Sequence, residues 1–350
     1  MKTFRWLTLG TVVLSAVAAF SQASSNVTVF ATGFDNPRGL KWGPDGNLYV
    51  AEAGTGGSHS TIGECDQVVP PIGPYTGGST ARISKVTPDG MRSTFARDLP
   101  SARNAVGDVT GVADVAFVGT QLYAVTAGGG CSHGHPNIPN AILQINADGS
   151  WSRLANLSAF QLAHPVANPD PADFEPDGVW YSLISVNSSL FAVEPNHGEV
   201  DEITPEGIVS RYIDVSQTQG HVVPTSIARI KNGFYVSNLG LFPIVPGSAA
   251  LFTVNNVGSV TKVETGVTTV VGLVVIGNKT YFLELSTDPG FPVPGKGAVV
   301  RLAGNKFTTI ADGLTAPTGM TVGPDGALYI SNFGTGAPAG AGQIVKITLP

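Results

Sequence analysis

A motif repeated at the two ends of the chain restricts the fold more than any other feature of the sequence. Residues 30–56 (FATGFDNPRGLKWGPDGNLYVAEAGTG) align without gaps on residues 310–336 (IADGLTAPTGMTVGPDGALYISNFGTG), at an offset of 280 residues. Self-similarity of this kind indicates a repeat architecture. Each copy reads as a short apolar strand, a Pro-Asp-Gly turn and an aromatic-centred strand, which together predict a β-hairpin.

Four weaker copies lie between these two, so the chain carries six inner hairpins. Their second strands are NLYVAE, QLYAVT, SLFAVE, GFYVSN, KTYFLE and ALYISN. A second hairpin follows in most units, but the last unit ends the chain without residues for a fourth strand. The segment 26–30 (NVTVF) precedes the first unit without a partner and can complete the last one. We therefore predict an all-β six-bladed β-propeller of four-stranded antiparallel blades, whose last blade is closed by the N-terminal strand.

The spacing of the units predicts a single domain over residues 24–350 with two enlarged blades. The unit openers fall at Gly39, Gly111, Ser182, Ser226, Gly272 and Gly319, in steps of 72, 71, 44, 46 and 47 residues. Four-stranded blades take about 40 to 50 residues, so the first two carry additional segments. We place these insertions at about 55–80 and 128–140. Both join a second to a third strand, so both lie over one face, which we call the top face.

The first 23 residues have the features of a secretory signal peptide. Lys2 and Arg5 precede an apolar stretch from Trp6 to Phe20, and small residues suited to signal peptidase follow, so we predict cleavage after Ala23. An uncleaved anchor is the alternative, although the apolar stretch is short for a membrane span. We expect a secreted or periplasmic protein that is monomeric and has no stable membrane insertion after cleavage.

Export gives the cysteines an oxidising environment. Cys65 and Cys131 lie one in each insertion, and we expect them to form a disulfide. Two free thiols, or a metal site that includes His133 and His135, are the alternatives.

Charge excludes one class of partner. The formal net charge is −6, and no run of Lys and Arg matches the spacing of successive phosphates. We therefore expect no nucleic-acid partner.

Polar residues end the second strands at the rim where the first strands begin. They are Glu52, Thr126, Glu194, Asn238, Glu284 and Asn332. Carboxylate and amide oxygens that converge from several blades suit Ca²⁺, so Glu52, Glu194, Asn238, Glu284 and Asn332 are candidate metal or ligand contacts. The alternative is that each is solvated or bonds the backbone.

Arg38 enters the same rim, where it either binds an anionic ligand or neutralises Glu52. The six histidines map to connections on the same face: His59, His133, His135, His164, His197 and His221. His164, His197 and His221 are candidate general bases because imidazole titrates near neutrality. His133 and His135 are candidate ligand contacts, and for each histidine a plain surface role is the alternative.

The motifs NPRGLKWGPDGNLYVAEAG and APTGMTVGPDGALYISNFG, together with ARISKVTPDG, resemble NHL-like six-bladed propellers and, more closely, the exported ScyD/ScyE family. This resemblance covers essentially the whole mature chain and implies an extracytoplasmic propeller. More distantly, the chain is similar to gluconolactonase and regucalcin-type propellers. That similarity implies a Ca²⁺-dependent lactone hydrolase, with Glu52, Asn238 and Asn332 around a channel metal.

We therefore predict a propeller that binds a small molecule or a protein through its top face and channel mouth. The first alternative is a Ca²⁺-dependent hydrolase of lactones or small esters, in which a channel cation polarises the carbonyl and a histidine activates water. A quinoprotein sugar dehydrogenase is the second alternative, because these six-bladed enzymes have similar Gly-Leu, Pro-Asp-Gly and Leu-Tyr-Val motifs.

Overall fold

The computed structural model describes residues 23–290 and 292–350. Within these ranges the chain forms 25 β-strands, two short α-helices and one 3₁₀ helix. The predicted signal peptide lies outside the described residues except for Ala23. No helix in the described ranges combines the length and hydropathy that a membrane crossing requires.

The strands form six antiparallel sheets arranged as the predicted six-bladed propeller. From the channel outwards, blade 1 contains β2 (Pro37–Trp42), β3 (Leu48–Glu52), β4 (Thr76–Val86) and β5 (Arg92–Arg103), with a short fifth strand β6 (Val109–Thr110). Blade 2 contains β7 (Val112–Val118), β8 (Gln121–Thr126), β9 (Ala141–Ile145) and β10 (Trp151–Asn156). Blade 3 contains β11 (Ser182–Val186), β12 (Ser189–Glu194), β13 (Glu199–Ile203) and β14 (Val209–Asp214).

Blade 4 contains β15 (Pro224–Ile230), β16 (Gly233–Asn238), β17 (Ala249–Val254) and β18 (Val260–Val267). Blade 5 contains β19 (Val270–Ile276), β20 (Lys279–Glu284), β21 (Gly297–Ala303) and β22 (Lys306–Leu314). Blade 6 contains β23 (Gly319–Val322), β24 (Leu328–Asn332), β25 (Gly342–Ile347) and, outermost, β1 (Val27–Phe34).

The ring closes as the sequence predicts. Strand β1 pairs antiparallel with β25, from Val27 opposite Ile347 to Phe34 opposite Gly342. Phe34 is fully buried in the cluster that also holds Leu40 of blade 1. The N-terminal strand therefore completes blade 6 and also packs on blade 1.

Aromatic residues seal neighbouring blades to each other near the bottom face, which is opposite the top face. The Tyr49 ring of blade 1 meets Phe117 of blade 2 edge-on at 5.2 Å between centroids. The Tyr329 ring of blade 6 meets Trp42 of blade 1 in the same way at 5.0 Å. The two contacts are equivalent because Tyr49 and Tyr329 occupy the same position of their second strands, opposite Lys85 and Lys346.

Three segments give the top face its additional material. The first is the loop 53–75 between β3 and β4, shorter at its end than predicted because β4 already begins at Thr76. The second is the loop 127–140, which includes a 3₁₀ helix (Cys131–His133). The third is the connection 157–181 between blades 2 and 3, which begins with α1 (Leu157–Ala163) and which we call the cap segment. A second helix, α2 (Ser216–Gln219), lies between blades 3 and 4.

Candidate functional site

A disulfide ties the first two top-face loops together. Cys65 in loop 53–75 is bonded to Cys131 in loop 127–140, as predicted. Beside it, His59 Nδ1 lies 2.7 Å from Gly134 O, and Thr61 Oγ1 donates to Cys131 O. The two loops therefore form one continuous covering over blades 1 and 2.

The cap segment is fastened to this covering by acidic residues at alternate positions. Asp177 Oδ2 accepts hydrogen bonds from both the main-chain N and the Oγ of Ser132, each at 2.7 Å. Two residues earlier, Glu175 Oε1 accepts from the hydroxyl of Tyr75 at 3.3 Å. These bonds join three loops that are distant in sequence.

Histidines contact the same stretch of the cap segment. His133 Nε2 lies 3.5 Å from Glu175 Oε2, and His197 Nε2 lies 3.1 Å from Glu175 O. Further along, His221 Nε2 pairs with Asp173 Oδ2 at 2.8 Å. Three of the six histidines therefore hold residues 173–175, each from a different connection.

Burial sets the charge state of the inner pair, which is His133 and Glu175. Desolvation, with the neighbouring His135, lowers the pKa of His133 to about 3. Desolvation, with the charges of Glu194 and Asp173, raises the pKa of Glu175 well above its usual range. Both groups therefore favour their uncharged forms at neutral pH.

The outer pair, His221 and Asp173, favours the charged form of its histidine instead. Partial burial acts to lower the pKa of His221, but the hydrogen bond to Asp173 and the negative charges of Asp173, Asp170 and Glu194 together raise the pKa overall. The cap segment is therefore held by an uncharged buried contact on one side and by a charge-assisted contact on the other.

The remaining histidines also lie in top-face connections. His135 is buried with Nε2 3.1 Å from Ser101 O, and burial lowers its pKa. His164 ends α1, is exposed, and stacks on Phe160. Among the described residues, the lining of the channel cavity includes none of the candidate bases His164, His197 and His221.

The five predicted metal ligands and Thr126, which end the six second strands, occupy equivalent positions but do not point at a common centre. Each caps main-chain groups of its own blade. The bonds run from Asp35 N to Glu52 (2.6 Å), Ala141 N to Thr126 (2.9 Å), Val179 N to Glu194 (2.9 Å), Ala250 N to Asn238 (2.7 Å), Thr268 N to Glu284 (2.5 Å) and Thr315 N to Asn332 (2.8 Å).

This arrangement matches the backbone role that was the alternative for these residues. Across residues 23–290 and 292–350, no group of three or more His, Cys, Asp or Glu side chains is placed to hold a metal ion. Calcium binding by Glu52, Glu194, Asn238, Glu284 and Asn332 stays a prediction.

Glu52 lies in a buried ionic network, but its partners differ from the one expected. Arg82 Nη2 is 2.7 Å from Oε2, and Arg92 Nη2 is 3.3 Å from Oε1. Neutralisation of Glu52 by Arg38, one of the two roles expected for this arginine, was wrong, because Arg38 lies 3.6 Å from Asp108 and donates to Val109 O. Binding of an anionic ligand by Arg38 stays a prediction. Strand pairing puts Arg82 directly opposite Glu52, and this β3–β4 neighbour takes the role assigned to Arg38.

The central channel is closed by a bond across its width. The hydroxyl of Tyr181, from blade 3, donates to Thr318 O of blade 6 at 2.8 Å. Below this bond the inner strands enclose a cavity of about 30 Å³. That volume holds water but is far below that of small-molecule sites, and a quinone cofactor does not fit it.

One carboxylate faces the cavity. Asp114 Oδ1 accepts from Val115 N and its Oδ2 from Leu183 N, both at 2.8 Å. Burial raises the pKa of Asp114 despite the nearby Lys41. The aspartate links blades 2 and 3 at the channel wall.

Apolar side chains are concentrated on the exterior of the top face. Of the fifteen large hydrophobic residues exposed in the described ranges, ten lie in its loops and cap segment, which makes this face the apolar side of the ring. The ten are Ile62, Val69, Ile72, Val106, Ile138, Leu162, Phe174, Leu241, Phe242 and Val245. They extend from blade 1 to the loop 239–248 of blade 4.

Sequence reasoning missed the cap segment and its carboxylates. The run Asp-Phe-Glu-Pro-Asp at 173–177 was the available signal, because its acidic residues alternate within a long connection. It was overlooked because the additional length of blade 2 was assigned to the loop 128–140 alone.

No protein-family model matches the chain, and no curated protein sequence matches it. Solved structures of similar fold do exist. A putative oxidoreductase (glucose dehydrogenase) from Thermus thermophilus is 16% identical with a TM-score of 0.60, over 92% of this chain and 99% of that one.

Two further solved structures have a similar fold. A PQQ-bound aldose sugar dehydrogenase from Streptomyces coelicolor is 12% identical with a TM-score of 0.56, over 94% of this chain and 99% of that one. A gluconolactonase from Xanthomonas campestris is 12% identical with a TM-score of 0.52, over 93% of this chain and 89% of that one. The chain is thus a six-bladed β-propeller with neighbours described as gluconolactonases and sugar dehydrogenases. At these identities the likeness concerns the fold alone.

Proposed function

We propose that this protein is an exported propeller that binds a protein partner through its top face. The observation that carries the proposal is the concentration of exposed apolar side chains there, among them Leu162 (78% exposed) and Leu241 (50% exposed). Exposed apolar surface of this kind is costly in water and marks contact sites.

The construction of the covering supports the same function. The Cys65–Cys131 disulfide and the bonds of Glu175 and Asp177 hold three loops together before any partner arrives. A surface that is already ordered loses less conformational entropy on binding, which favours affinity. The closed channel mouth directs a partner to the loops rather than to the interior.

The test compares matched charge substitutions on the two faces. The mature protein is immobilised, exposed to the extracytoplasmic fraction of its source and cross-linked, and the retained proteins are identified by mass spectrometry. Leu162→Asp and Leu241→Asp alter the top face, and Val257→Asp (86% exposed) alters a bottom-face turn. We expect one partner retained by the wild type and by Val257→Asp but lost with both top-face variants. Equal retention by all four proteins would refute the proposal.

A Ca²⁺-dependent hydrolase of lactones or small esters is the second candidate. It is favoured by the likeness in fold to a protein described as a gluconolactonase and by the buried carboxylates Glu52, Glu194 and Glu284 at one face. Each carboxylate accepts a main-chain N–H, so a cation would have to displace those bonds. Metal analysis, a calcium thermal shift and a lactone screen test it together. No bound metal, no shift and no turnover would reject it.

Membership of the exported NHL-like ScyD/ScyE family, and export itself, are part of the proposal. The support is the repeat motif, the apolar N-terminal stretch and the disulfide. The N-terminal sequence of the protein recovered outside the cytoplasm tests it, with Ser24 as the expected first residue.

A further inference from the structure

The covering and the cap segment of the top face contain acidic residues but no lysine or arginine. These parts of the chain are residues 53–75, 127–140 and 157–181. Their acidic residues are Glu64, Asp66, Asp170, Asp173, Glu175 and Asp177. Every lysine and arginine of the chain therefore lies elsewhere, most of them on the strands of the blades.

Four of these six acidic side chains have no cationic partner. Burial raises the pKa of Glu175 well above its usual range, so this group favours its uncharged form, and Asp173 pairs with His221. None of the remaining four forms an ion pair within the described residues. The four are Glu64, Asp66, Asp170 and Asp177.

The buried histidines of the covering do not replace the missing cations. Burial lowers the pKa of His133 to about 3, and it also lowers the pKa of His135. Both rings therefore favour their uncharged forms at neutral pH. The interior of the covering adds no positive charge beneath its acidic surface.

Several acids of the blades, by contrast, have a lysine beside them. Asp45 Oδ2 lies 2.8 Å from Lys85 Nζ in blade 1, and Asp325 Oδ2 lies 2.6 Å from Lys346 Nζ in blade 6. The covering and the cap segment have no lysine of their own for this position. The space beside their acids is open to the cations of a partner.

The same two parts of the top face carry exposed apolar side chains next to these acids. In loop 53–75, Ile62 (65% exposed) is followed at alternate positions by Glu64 and Asp66. In the cap segment, Asp170 follows the exposed Leu162 of α1. Apolar contact and negative charge are therefore offered by the same segments.

We propose that the partner bound by the top face is a basic protein segment, in which lysine or arginine residues flank apolar side chains. This partner chemistry rests on the function proposed above. Its apolar side chains contact Ile62 and Leu162, and its cations lie beside Glu64, Asp66 and Asp170. Charge complementarity speeds association and suppresses partners of like charge, so acidic proteins and anionic lipid surfaces are disfavoured.

The experiment measures binding of a dye-labelled amphipathic peptide of leucine and lysine, about 15 residues long, by fluorescence anisotropy. Two peptides of the same length serve as probes of the chemistry, one of leucine and glutamate and one of serine and lysine. We expect a Kd on the order of 10 μM for the leucine–lysine peptide in dilute salt. The other two should bind at least about tenfold more weakly, and about 0.5 M salt should weaken the leucine–lysine complex at least about fivefold.

Matched variants separate the charges of the top face from the net charge of the protein. Glu64→Gln/Asp66→Asn/Asp170→Asn should bind the leucine–lysine peptide at least about tenfold more weakly. The control Asp89→Asn/Asp148→Asn/Glu206→Gln removes three exposed acids from bottom-face turns and should bind like the wild type. Thermal unfolding verifies that each variant folds.

The apolar variant Ile62→Ser/Leu162→Ser distinguishes failure of the partner chemistry from failure of the proposed function. Loss of binding in this variant, with no loss in the top-face charge variant, would overturn the basic partner but keep the top face as the binding surface. Unchanged binding in the apolar variant would count against the proposed function itself. Equal losses in the two charge variants, or no binding of the leucine–lysine peptide at about 1 mM, would also overturn the basic partner.

Discussion

His133 Nε2 lies 3.5 Å from Glu175 Oε2, and both side chains are buried. The contact joins the loop 127–140 to the cap segment, with the ring of Tyr75 centred 4.4 Å from the imidazole. A charge on either group would have little water to solvate it, so the contact depends on both remaining uncharged. The cap segment is therefore built around an imidazole that resists protonation.

The burial of His133 predicts that the protein loses stability as the pH falls. The pKa of His133 is lowered to about 3 from an ordinary value of 6.5. The unfolded chain therefore binds a proton that the folded chain refuses, and stability falls as pH drops from about 6.5 towards 3. Between pH 6.5 and 4.5 we expect a loss of about 2 to 3 kcal/mol from this residue.

The measurement is the difference between wild type and His133→Gln in urea unfolding at several pH values. Glu194 and Glu284 change stability in the opposite direction, but both proteins contain them, so the difference in unfolding free energy isolates the contribution of His133. Burial raises their pKa values to about 7, so their protonation stabilises the fold as pH falls from 7 to about 4.5. The wild-type advantage should shrink as pH falls, whereas exposed His164→Gln should track the wild type. A constant difference would contradict this account.

Breaking the disulfide should destabilise the top face and the fold with it. Cys65 and Cys131 are separated by 66 residues, and closing a loop of this length restricts the unfolded chain. The chain-entropy treatment gives a stabilisation of about 4 kcal/mol. We expect Cys65→Ser/Cys131→Ser to lower the free energy of unfolding by about this amount, which urea unfolding shows as a lower midpoint. Wild type in reductant should behave like the double variant, and an unchanged midpoint in both would show that the loops hold without the bond.

The fold was predictable because its signal is repeated. Six copies of one hairpin fix the blade count, and the missing strand after GQIVKITLP fixes how the ring closes. The cysteine pairing followed from that topology, since the predicted loops of Cys65 and Cys131 are neighbours.

The site was less predictable because its contacts join segments that have no common pattern. Glu175 meets Tyr75 and His133 only after three loops fold over one another. The error at Arg38 has a similar cause. Proximity to the rim suggested Glu52 as its partner, but cross-strand register places Arg82 there instead. Repeats predict strands, whereas side-chain partners depend on register and loop paths.

Glu52→Gln should lower the free energy of unfolding. The carboxylate is fully buried between Arg82 and Arg92, and it also accepts from Asp35 N and Ser84 Oγ. Removing its charge leaves two partly buried guanidinium groups without this partner, at a cost of about 2 to 4 kcal/mol. Urea unfolding measures this, with exposed Glu206→Gln as the matched control. Equal midpoints for the two variants would show that the network adds no stability.

The closing strand supplies the last prediction. Phe34 is fully buried at the junction of blades 6 and 1, whereas Val29, on the same strand, is 58% exposed. Truncating Phe34 leaves a cavity at the seam that joins the two ends of the chain, so Phe34→Ala should cost about 3 to 5 kcal/mol. Val29→Ala should stay within about 0.5 kcal/mol of the wild type.

Urea unfolding compares the two variants, and limited proteolysis of the native proteins locates the effect. Because β1 pairs only with β25 in its sheet, a weakened seam should expose β1 to cleavage before the other strands. Equal costs for Phe34→Ala and Val29→Ala, or first cleavage elsewhere in the ring, would show that the seam is not where the propeller opens.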